Sequence, residues 1–369
     1  MKKIFCVSAV NLVNGGTLTI LKNCLESLCK YALDNDIEIY AIVHKKDICF
    51  YPGIKYIEIP WAKKNWINRV YCEYFYFKKI SRLINPDVWL SLHDTTPRVT
   101  AKTQAVYCHN PMPFYKSKFL DLKYNYKEFL FSQLYKYLYK ININKNSFVI
   151  VQQDWLRNEF CNLFNLDKNR VIVAKPYYEF AVTSDNSIHE TNSDISTFFY
   201  PSFPRTFKNF EVICEASTIL NSMGINNFKV ILTINGSENK YSKYIHSKYS
   251  KSNNIVFCGL LPLNKVHEMY KLTDCLLFPS KLETWGLPIS EFSLYGKPMI
   301  ISNSQYAHET AAGISNVAFF DPTDSYELAQ RMKEIIDNSK LSFRCVPSLE
   351  IAPPVTNSWE MLFDILIGV

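Results

Sequence analysis

The stretch DCLLFPSKLETWGLPISEFSLYGKPMI, residues 274–300, determines the predicted fold of this chain. Its first part is a short apolar run that ends at Pro279, as expected of a buried β-strand. Pro288 suits the start of a helix, because its missing N–H costs nothing there. Glu283 is therefore expected in the loop that leaves a strand, and Glu291 in the first turn of the next helix. In open α/β sheets ligands bind at this edge, often as anions at a helix N-terminus.

Segments typical of buried parallel strands recur through the rest of the chain. In the N-terminal half they are KKIFCVSAV, EIYAIVH, VWLSLH, QAVYCH and SFVIVQQ, and in the C-terminal half STFFYPS, FKVILTING, NIVFCGLL and CLLFPS. Helix-like stretches separate them, which predicts doubly wound parallel sheets. The polar stretch 182–197 shows neither the periodicity of a helix nor that of a strand, which indicates a domain boundary. We therefore predict two doubly wound, Rossmann-like α/β domains, at residues 1–177 and 178–352, facing each other across a cleft. A final helix at 353–369 would pack back toward the N-terminal domain.

Composition indicates a globular protein of the cytosol. The 369 residues are 48% hydrophobic and 20% charged, and no apolar run approaches the roughly 20 residues that span a bilayer. The start, MKKIFCVSAV, resembles a signal peptide, but its apolar run is short and no cleavage pattern follows, so we interpret it as the first strand. The eleven cysteines are scattered without metal-binding spacing, which is typical of reduced, buried thiols.

Charge is distributed unevenly along the chain. Residues 1–180 contain 26 Lys and Arg against 15 Asp and Glu, whereas the remainder contains 15 against 19. The basic half suggests an anionic partner: a nucleic acid, a membrane surface or a phosphorylated substrate. Two segments, 61–82 and 114–146, interleave aromatic residues with lysines, as do helices that lie in a membrane interface. The same mixture would also suit stacking on single-stranded nucleic acid, or a packed aromatic core with lysines outside.

Two features of the N-terminal half lie at predicted strand ends. Gly15 and Gly16 occupy the turn after the first strand, where glycines allow a phosphate to approach the backbone. The turn lacks the third glycine of a dinucleotide fingerprint, so dinucleotide binding is weakly supported. His93 and His109 each end a strand, which is where ligands of such sheets bind.

The C-terminal half adds two cations at a strand end. Arg205 and Lys208 follow its first strand, at the edge predicted for Glu283 and Glu291. Cations in this position favour a diphosphate clamp over a merely solvated loop. The chain has no D-x-D element that would hold a divalent metal convincingly.

These motifs together resemble the GT-B glycosyltransferases of family 4, which use nucleotide sugars and retain anomeric configuration. The strongest match is the E-x7-E motif from Glu283 to Glu291, followed by GKPMI, HETAAG and the F-D-P segment of VAFFDPTDSYELAQRM. Weaker matches are the Gly15–Gly16 loop, His109 and the strand VIVAKP. One position departs from the family pattern, because Phe203 stands where an arginine usually precedes Lys208 by five residues. Arg205 is then the candidate for that missing guanidinium.

The resemblance implies a role for each candidate residue. Glu283 would hold hydroxyls of the transferred sugar, His109 would orient that sugar, and Glu291 would bind the ribose hydroxyls. The remaining donor-binding residues, which would surround the diphosphate or line its site, are Gly15, Gly16, Arg205, Lys208, Trp285, Gly286 and Leu287. Charge stabilisation on the departing diphosphate can replace a metal, so we expect neither a metal nor a cofactor.

The predicted function is addition of one sugar to a lipid-linked glycan, such as an O-antigen, lipopolysaccharide or capsule repeat unit. The acceptor would dock on the basic N-terminal domain at the inner face of the cytoplasmic membrane, as suits a peripheral membrane enzyme. No nucleic acid is expected as a partner. Three alternatives remain open: a nucleotide-sugar epimerase of the same fold, a Rossmann oxidoreductase, and a nucleic-acid-binding protein that uses the basic half.

Overall fold

The computed structural model describes residues 2–115, 119–176 and 194–368, which fall into two compact units. The first unit comprises the described residues of Met1–Phe114, Gln133–Tyr178 and Ile351–Val369. The second comprises those of Tyr115–Ser132 and Glu179–Glu350. Among the described residues no helix is both long and apolar enough to span a membrane.

The first unit is built on an eight-stranded parallel sheet. Its strands are β1 (Lys3–Ala9), β2 (Ile37–Val43), β3 (Ile54–Glu58), β4 (Val88–Ser91), β5 (Thr103–Tyr107), β6 (Phe148–Val151), β7 (Val171–Ala174) and β14 (Val355–Thr356). Its helices are α1 (Gly15–Asp34), α2 (Trp66–Tyr71), α3 (Phe77–Ile84), α6 (Asp154–Phe164) and α13 (Trp359–Ile367). The order β14-β7-β6-β5-β4-β1-β2-β3 reverses direction between β1 and β4, which makes this the topological switch point.

The second unit contains a six-stranded parallel sheet. Its strands are β8 (Ser196–Tyr200), β9 (Phe228–Leu232), β10 (Ile255–Phe257), β11 (Cys275–Phe278), β12 (Met299–Ser302) and β13 (Val317–Phe320). Its helices are α4 (Phe119–Tyr124), α7 (Phe210–Ser222), α8 (Lys240–Tyr249), α9 (Leu263–Leu272), α10 (Leu287–Ser293), α11 (Gln305–Thr310) and α12 (Ser325–Ile336), while α5 (Tyr126–Lys140) begins in this unit. The order β10-β9-β8-β11-β12-β13 places the switch point between β8 and β11. The two parallel sheets confirm the predicted pair of doubly wound α/β domains.

Two segments pack on units that their position in the sequence does not make obvious: the C-terminal helix α13 and the described part of Tyr115–Ser132. Helix α13 packs on the first unit, where the ring of Phe363 meets that of Phe5 edge-on with centroids 5.4 Å apart. The described residues of Tyr115–Ser132 lie in the second unit, whereas the predicted domain at 1–177 includes them. The reason is aromatic packing, since Tyr124 stacks on Tyr244 at 4.8 Å between ring centroids.

Candidate functional site

The switch point of the second unit brings two predicted site residues together. Lys208 ends the short 3₁₀ turn Thr206–Lys208 after β8, and Glu283 lies in the loop after β11. The Nζ atom of Lys208 forms an ion pair with Oε1 of Glu283, and the two side chains are only 18% and 15% exposed. The loops are tied by the backbone as well, since Lys281 N donates to Phe207 O at 2.8 Å. The sequence-based prediction that both residues lie at one sheet edge agrees with this contact.

Gly286 shapes the loop between the two glutamates. Its φ is +90°, and a Cβ added there would lie 3.3 Å from atoms of Ile289, Phe278 and Tyr306. Only glycine adopts this conformation in this space without strain. The preceding Trp285 is fixed at its ring nitrogen, which donates to Ser290 Oγ at 2.9 Å. The turn into α10, which begins at Leu287, is therefore held in one shape.

Glu291 has different surroundings from Glu283. It lies on α10, and the Tyr270 hydroxyl donates a hydrogen bond of 2.9 Å to its Oε2 atom. Burial raises the pKa of the Glu291 carboxyl above its usual value, against the opposing effects of the Tyr270 hydrogen bond and His267. The two glutamates are thus a carboxylate neutralised by a cation and a carboxyl group held by a phenol.

Arg205 does not contact Glu283 or Glu291 directly. Its Nη1 atom lies 3.4 Å from Oε1 of Glu128, which belongs to the first turn of α5. The guanidinium carbon of Arg205 and the ammonium of Lys208 lie 5.9 and 5.6 Å from the ring centroid of Phe207. The sequence contains no signal for Glu128, because it lies far from Arg205 along the chain.

In the first unit, Gly15 and Gly16 begin α1 directly after the β1 turn. The φ of Gly15 is +62°, and a Cβ built on either residue would have no heavy atom within 4 Å. The backbone beside the carboxyl end of β1 is therefore open to approach. Asn14 caps the helix without a side-chain hydrogen bond, and Thr17 Oγ1 donates to its carbonyl at 3.1 Å.

His109 follows β5 and is held in one tautomer. Its Nε2 atom lies 3.1 Å from the carbonyl oxygen of Leu92, which can only accept, so Nε2 carries the proton. The Nδ1 lone pair is buried and has no hydrogen-bond partner among the described residues. Burial lowers the pKa of the imidazole, partly offset by Asp94. His109 is therefore neutral near pH 7, with one nitrogen available to accept a hydrogen bond.

His93 ends β4 inside a buried cluster that the sequence did not reveal. Its Nδ1 atom lies 3.2 Å from Oε1 of Glu73 and 3.0 Å from Oγ1 of Thr95, and Arg69 Nη2 lies 2.6 Å from the same Glu73 oxygen. Burial raises the pKa of Glu73 to about 7. Glu73 lies on a π-helical turn, Cys72–Tyr76, a local geometry that sequence periodicity does not indicate.

The described residues include no group of three or more His, Cys, Asp or Glu arranged to hold a metal ion.

Part of the chain is similar in sequence to a known protein family. Residues 184–348 match the family of glycosyl transferases group 1. No curated protein matches the chain in sequence. Among solved structures, the fold is similar to that of WaaG, a glycosyltransferase involved in lipopolysaccharide biosynthesis, with a TM-score of 0.64 and 14% identity over 99% of this chain and 100% of that one.

Two further structures are similar at the same level. One is the lipopolysaccharide outer core galactosyltransferase WaaB, with a TM-score of 0.61, 13% identity, and coverage of 91% of this chain and 90% of that one. The other is HepE from Anabaena in complex with UDP-glucose, with a TM-score of 0.61, 14% identity, and coverage of 99% and 95%. Residues 184–348 are therefore similar to glycosyl transferases group 1, and the two parallel-sheet units have the GT-B fold of these solved structures.

Proposed function

We propose that the protein is a retaining glycosyltransferase, similar to family 4, that moves one sugar from a nucleoside-diphosphate sugar to a glycan acceptor. The observation that carries the proposal is the Lys208–Glu283 ion pair at the β8–β11 switch point, with Glu291 eight positions further along the chain. A cation beside two carboxylates at the carboxyl edge of a sheet suits a ligand with both phosphate and hydroxyl groups.

Each of these groups has a distinct role in the proposal. Lys208 and Arg205 stabilise the charge that builds on the departing diphosphate, which lowers the barrier of the chemical step itself. Glu283 accepts hydrogen bonds from hydroxyls of the transferred sugar and does not act as the nucleophile. This assignment is supported by its ion pair, because a carboxylate shared with an ammonium is a weaker nucleophile. No metal and no cofactor take part in the proposed reaction.

The ribose is assigned to Glu291. One carboxylate oxygen accepts from Tyr270, which fixes the orientation of the group and leaves Oε1 for the ribose hydroxyls. In the first unit, the Nδ1 lone pair of His109 suits a sugar hydroxyl, which has a proton to donate. The open backbone at Gly15 and Gly16 suits a phosphate. HepE, whose structure contains UDP-glucose, supports a nucleotide sugar as donor.

The acceptor in this proposal is a lipid-linked repeat unit of a bacterial surface polysaccharide, of the O-antigen or capsule type. WaaG and WaaB are linked to lipopolysaccharide by their names, which supports an acceptor of this general class. The helical region 66–75 supports docking at the inner face of the cytoplasmic membrane. Its exposed apolar side chains are Trp66, Ile67, Val70, Tyr71 and Phe75. Lysines 63, 64 and 79 beside them are exposed too, and such a surface suits anionic lipid.

Thermal unfolding with UDP, GDP, dTDP, CMP and NAD tests the proposal on wild type and Lys208→Ala. A ligand at 100 times its dissociation constant adds about 2.7 kcal/mol to the free energy of unfolding, which is an easily measured shift. We expect one nucleoside diphosphate to stabilise the wild type and to stabilise the variant less. The absence of a shift with every diphosphate, or a shift with NAD alone, would refute the donor site.

A second incubation separates the transferase from an epimerase of the same fold. The protein is incubated with the UDP-, GDP- or dTDP-sugar whose base gave the shift, without an acceptor, and the sugar is followed by NMR. A transferase leaves the configuration of the intact donor unchanged, whereas an epimerase inverts one ring carbon. Inversion of a ring carbon in the free donor would therefore replace the present proposal.

A further inference from the structure

The two cations of the turn after β8 are both already paired with carboxylates. Lys208 is paired with Glu283, and Arg205 with Glu128. The four side chains together carry no net charge, whereas the diphosphate of a nucleotide sugar carries two negative charges. Release of one cation by its carboxylate would strengthen the attraction between this site and such an anion.

Tyr115 and residues 119–132, which together we call the clamp segment, hold Glu128 beside Arg205. At its start, Tyr115 meets the ring of Phe207 edge-on at 5.8 Å between centroids. Its middle is fixed by Tyr124, which stacks on Tyr244. The Glu128 amide donates to Asn125 Oδ1 at 3.2 Å, which fixes the start of α5. The position of Glu128 is therefore fixed by packing within the second unit, and the Arg205 side chain extends toward its carboxylate.

The Arg205–Glu128 pair is the looser of the two ion pairs. Its shortest N–O distance is 3.4 Å, and Arg205 is 47% exposed, whereas both members of the Lys208–Glu283 pair are largely buried. The other carboxylate oxygen of Glu128, Oε2, is buried without a hydrogen-bond partner among the described residues. A carboxylate with one loose cation and one unsatisfied oxygen is weakly stabilised. The pair therefore opens more easily than the one between Lys208 and Glu283.

We propose that Glu128 is a positioning residue of the donor site, and that Arg205 exchanges Glu128 for the diphosphate when the donor binds. This inference rests on the proposed function and adds a residue to its site. In the structure Glu128 holds the guanidinium of Arg205 beside Phe207, within one turn of Lys208. On binding, Arg205 keeps this place and changes its partner, so donor affinity includes the cost of breaking the ion pair.

Calorimetric titration of four proteins tests the exchange: wild type, Glu128→Gln, Arg205→Gln and the double variant. The ligand is whichever of UDP, GDP and dTDP the wild type binds most tightly. We expect Glu128→Gln to lower the dissociation constant about threefold to tenfold, as is typical of a partly exposed ion pair. In the Arg205→Gln background the same substitution should change the dissociation constant less than twofold, since no guanidinium is left to release.

Comparison of these four proteins distinguishes the exchange from general charge repulsion, from a purely structural ion pair and from failure of the proposed function. If removing the Glu128 charge tightens binding equally with and without Arg205, the effect is general repulsion and the exchange is refuted. If Glu128→Gln lowers the melting temperature but leaves the dissociation constant unchanged, the pair is only structural and the inference is again wrong. Failure of the wild type to bind any of the three diphosphates would instead refute the donor site itself. Lys208→Ala is the control that should lose affinity whether or not Glu128 is present.

Discussion

The side chains of Lys208 and Glu283, 75 positions apart in the sequence, form a largely buried ion pair at the switch point of the second sheet. A buried pair of this kind contributes little net stability, because desolvation offsets the attraction between the charges. Removal of one partner nevertheless destabilises the fold, since the other charge is left largely buried without a counter-charge. The pair is therefore not explained by folding stability, and we propose above that it binds the donor.

Substitutions at the two positions should have different effects. Lys208→Ala leaves the Glu283 carboxylate without its cation, and we expect the free energy of unfolding to fall by about 1–3 kcal/mol and diphosphate affinity to fall as well. Glu283→Gln frees the ammonium, so the diphosphate should bind at least as tightly while sugar transfer falls about a hundredfold or more. Chemical denaturation and titration with the diphosphate measure the two effects. Equal loss of diphosphate affinity in both variants would contradict these roles.

Tyr270→Phe should change how donor binding depends on pH. The substitution removes the hydrogen bond that lowers the pKa of Glu291, while burial, which raises it, remains. A ribose hydroxyl donates a stronger hydrogen bond to an ionised carboxylate than to a protonated carboxyl group, so affinity should fall as the pH drops through the pKa of Glu291. In the variant this fall should begin at a higher pH, as measured by nucleotide dissociation constants between about pH 4.5 and 8. Superimposable profiles would show that Glu291 does not bind the ribose.

Gly286→Ala tests the shape of the loop between the two glutamates. The new Cβ would be strained by a φ of +90° and would also press on three side chains at 3.3 Å. Gly296 is a matched control, because its φ is +64° but no heavy atom lies within 4 Å of its added Cβ. We expect Gly296→Ala to cost about 1 kcal/mol of stability, from strain alone, and Gly286→Ala about 2–3 kcal/mol. If urea denaturation shows equal losses of stability in the two variants, the three side chains around Gly286 move aside at no measurable cost.

The cluster of Arg69, Glu73 and His93 predicts a pH-dependent contribution to stability. The pKa of Glu73 is about 7 in the folded protein against 4.5 for an ordinary glutamate, so between these values the folded state binds the extra proton. The Glu73 contribution therefore falls as pH rises from about 4.5 to 7, by on the order of 3 kcal/mol. Burial lowers the pKa of His93, which gives the opposite trend below its usual value of 6.5.

Glu73→Gln isolates the first contribution, because glutamine resembles the protonated acid. Unfolding free energies of variant and wild type should be closest near pH 4.5, and the difference should shift in favour of the variant toward pH 8. A difference that does not change with pH would show that Glu73 is ionised throughout this range. His93→Gln serves as the comparison, since it removes the imidazole and retains the carboxyl group of Glu73.

The strand-end residues were predictable from the sequence because they follow from local patterns. Apolar runs identify the parallel strands, and Lys208 and Glu283 lie in the loops that follow two of them, β8 and β11. Because these loops leave the same edge of the sheet, the two residues are expected to be neighbours. Glu128 and Glu73 were not predictable in the same way. Glu128 depends on how the clamp segment packs against the second unit, and Glu73 on a π-helical turn. Neither long-range packing nor an irregular turn leaves a periodic signal in the sequence.

The exposed apolar side chains at 66–75 predict binding to anionic membranes. Ile67 and Phe75 are 80% and 61% exposed, so replacing both with serine should barely change the stability of the fold. Because these side chains would insert into the interface, affinity for phosphatidylglycerol vesicles at low salt should fall about tenfold or more. Leu33→Ser is the matched control, since Leu33 is 86% exposed on α1, outside this region. Co-sedimentation in which all three proteins bind equally, or in which the wild type does not bind, would refute the membrane contact.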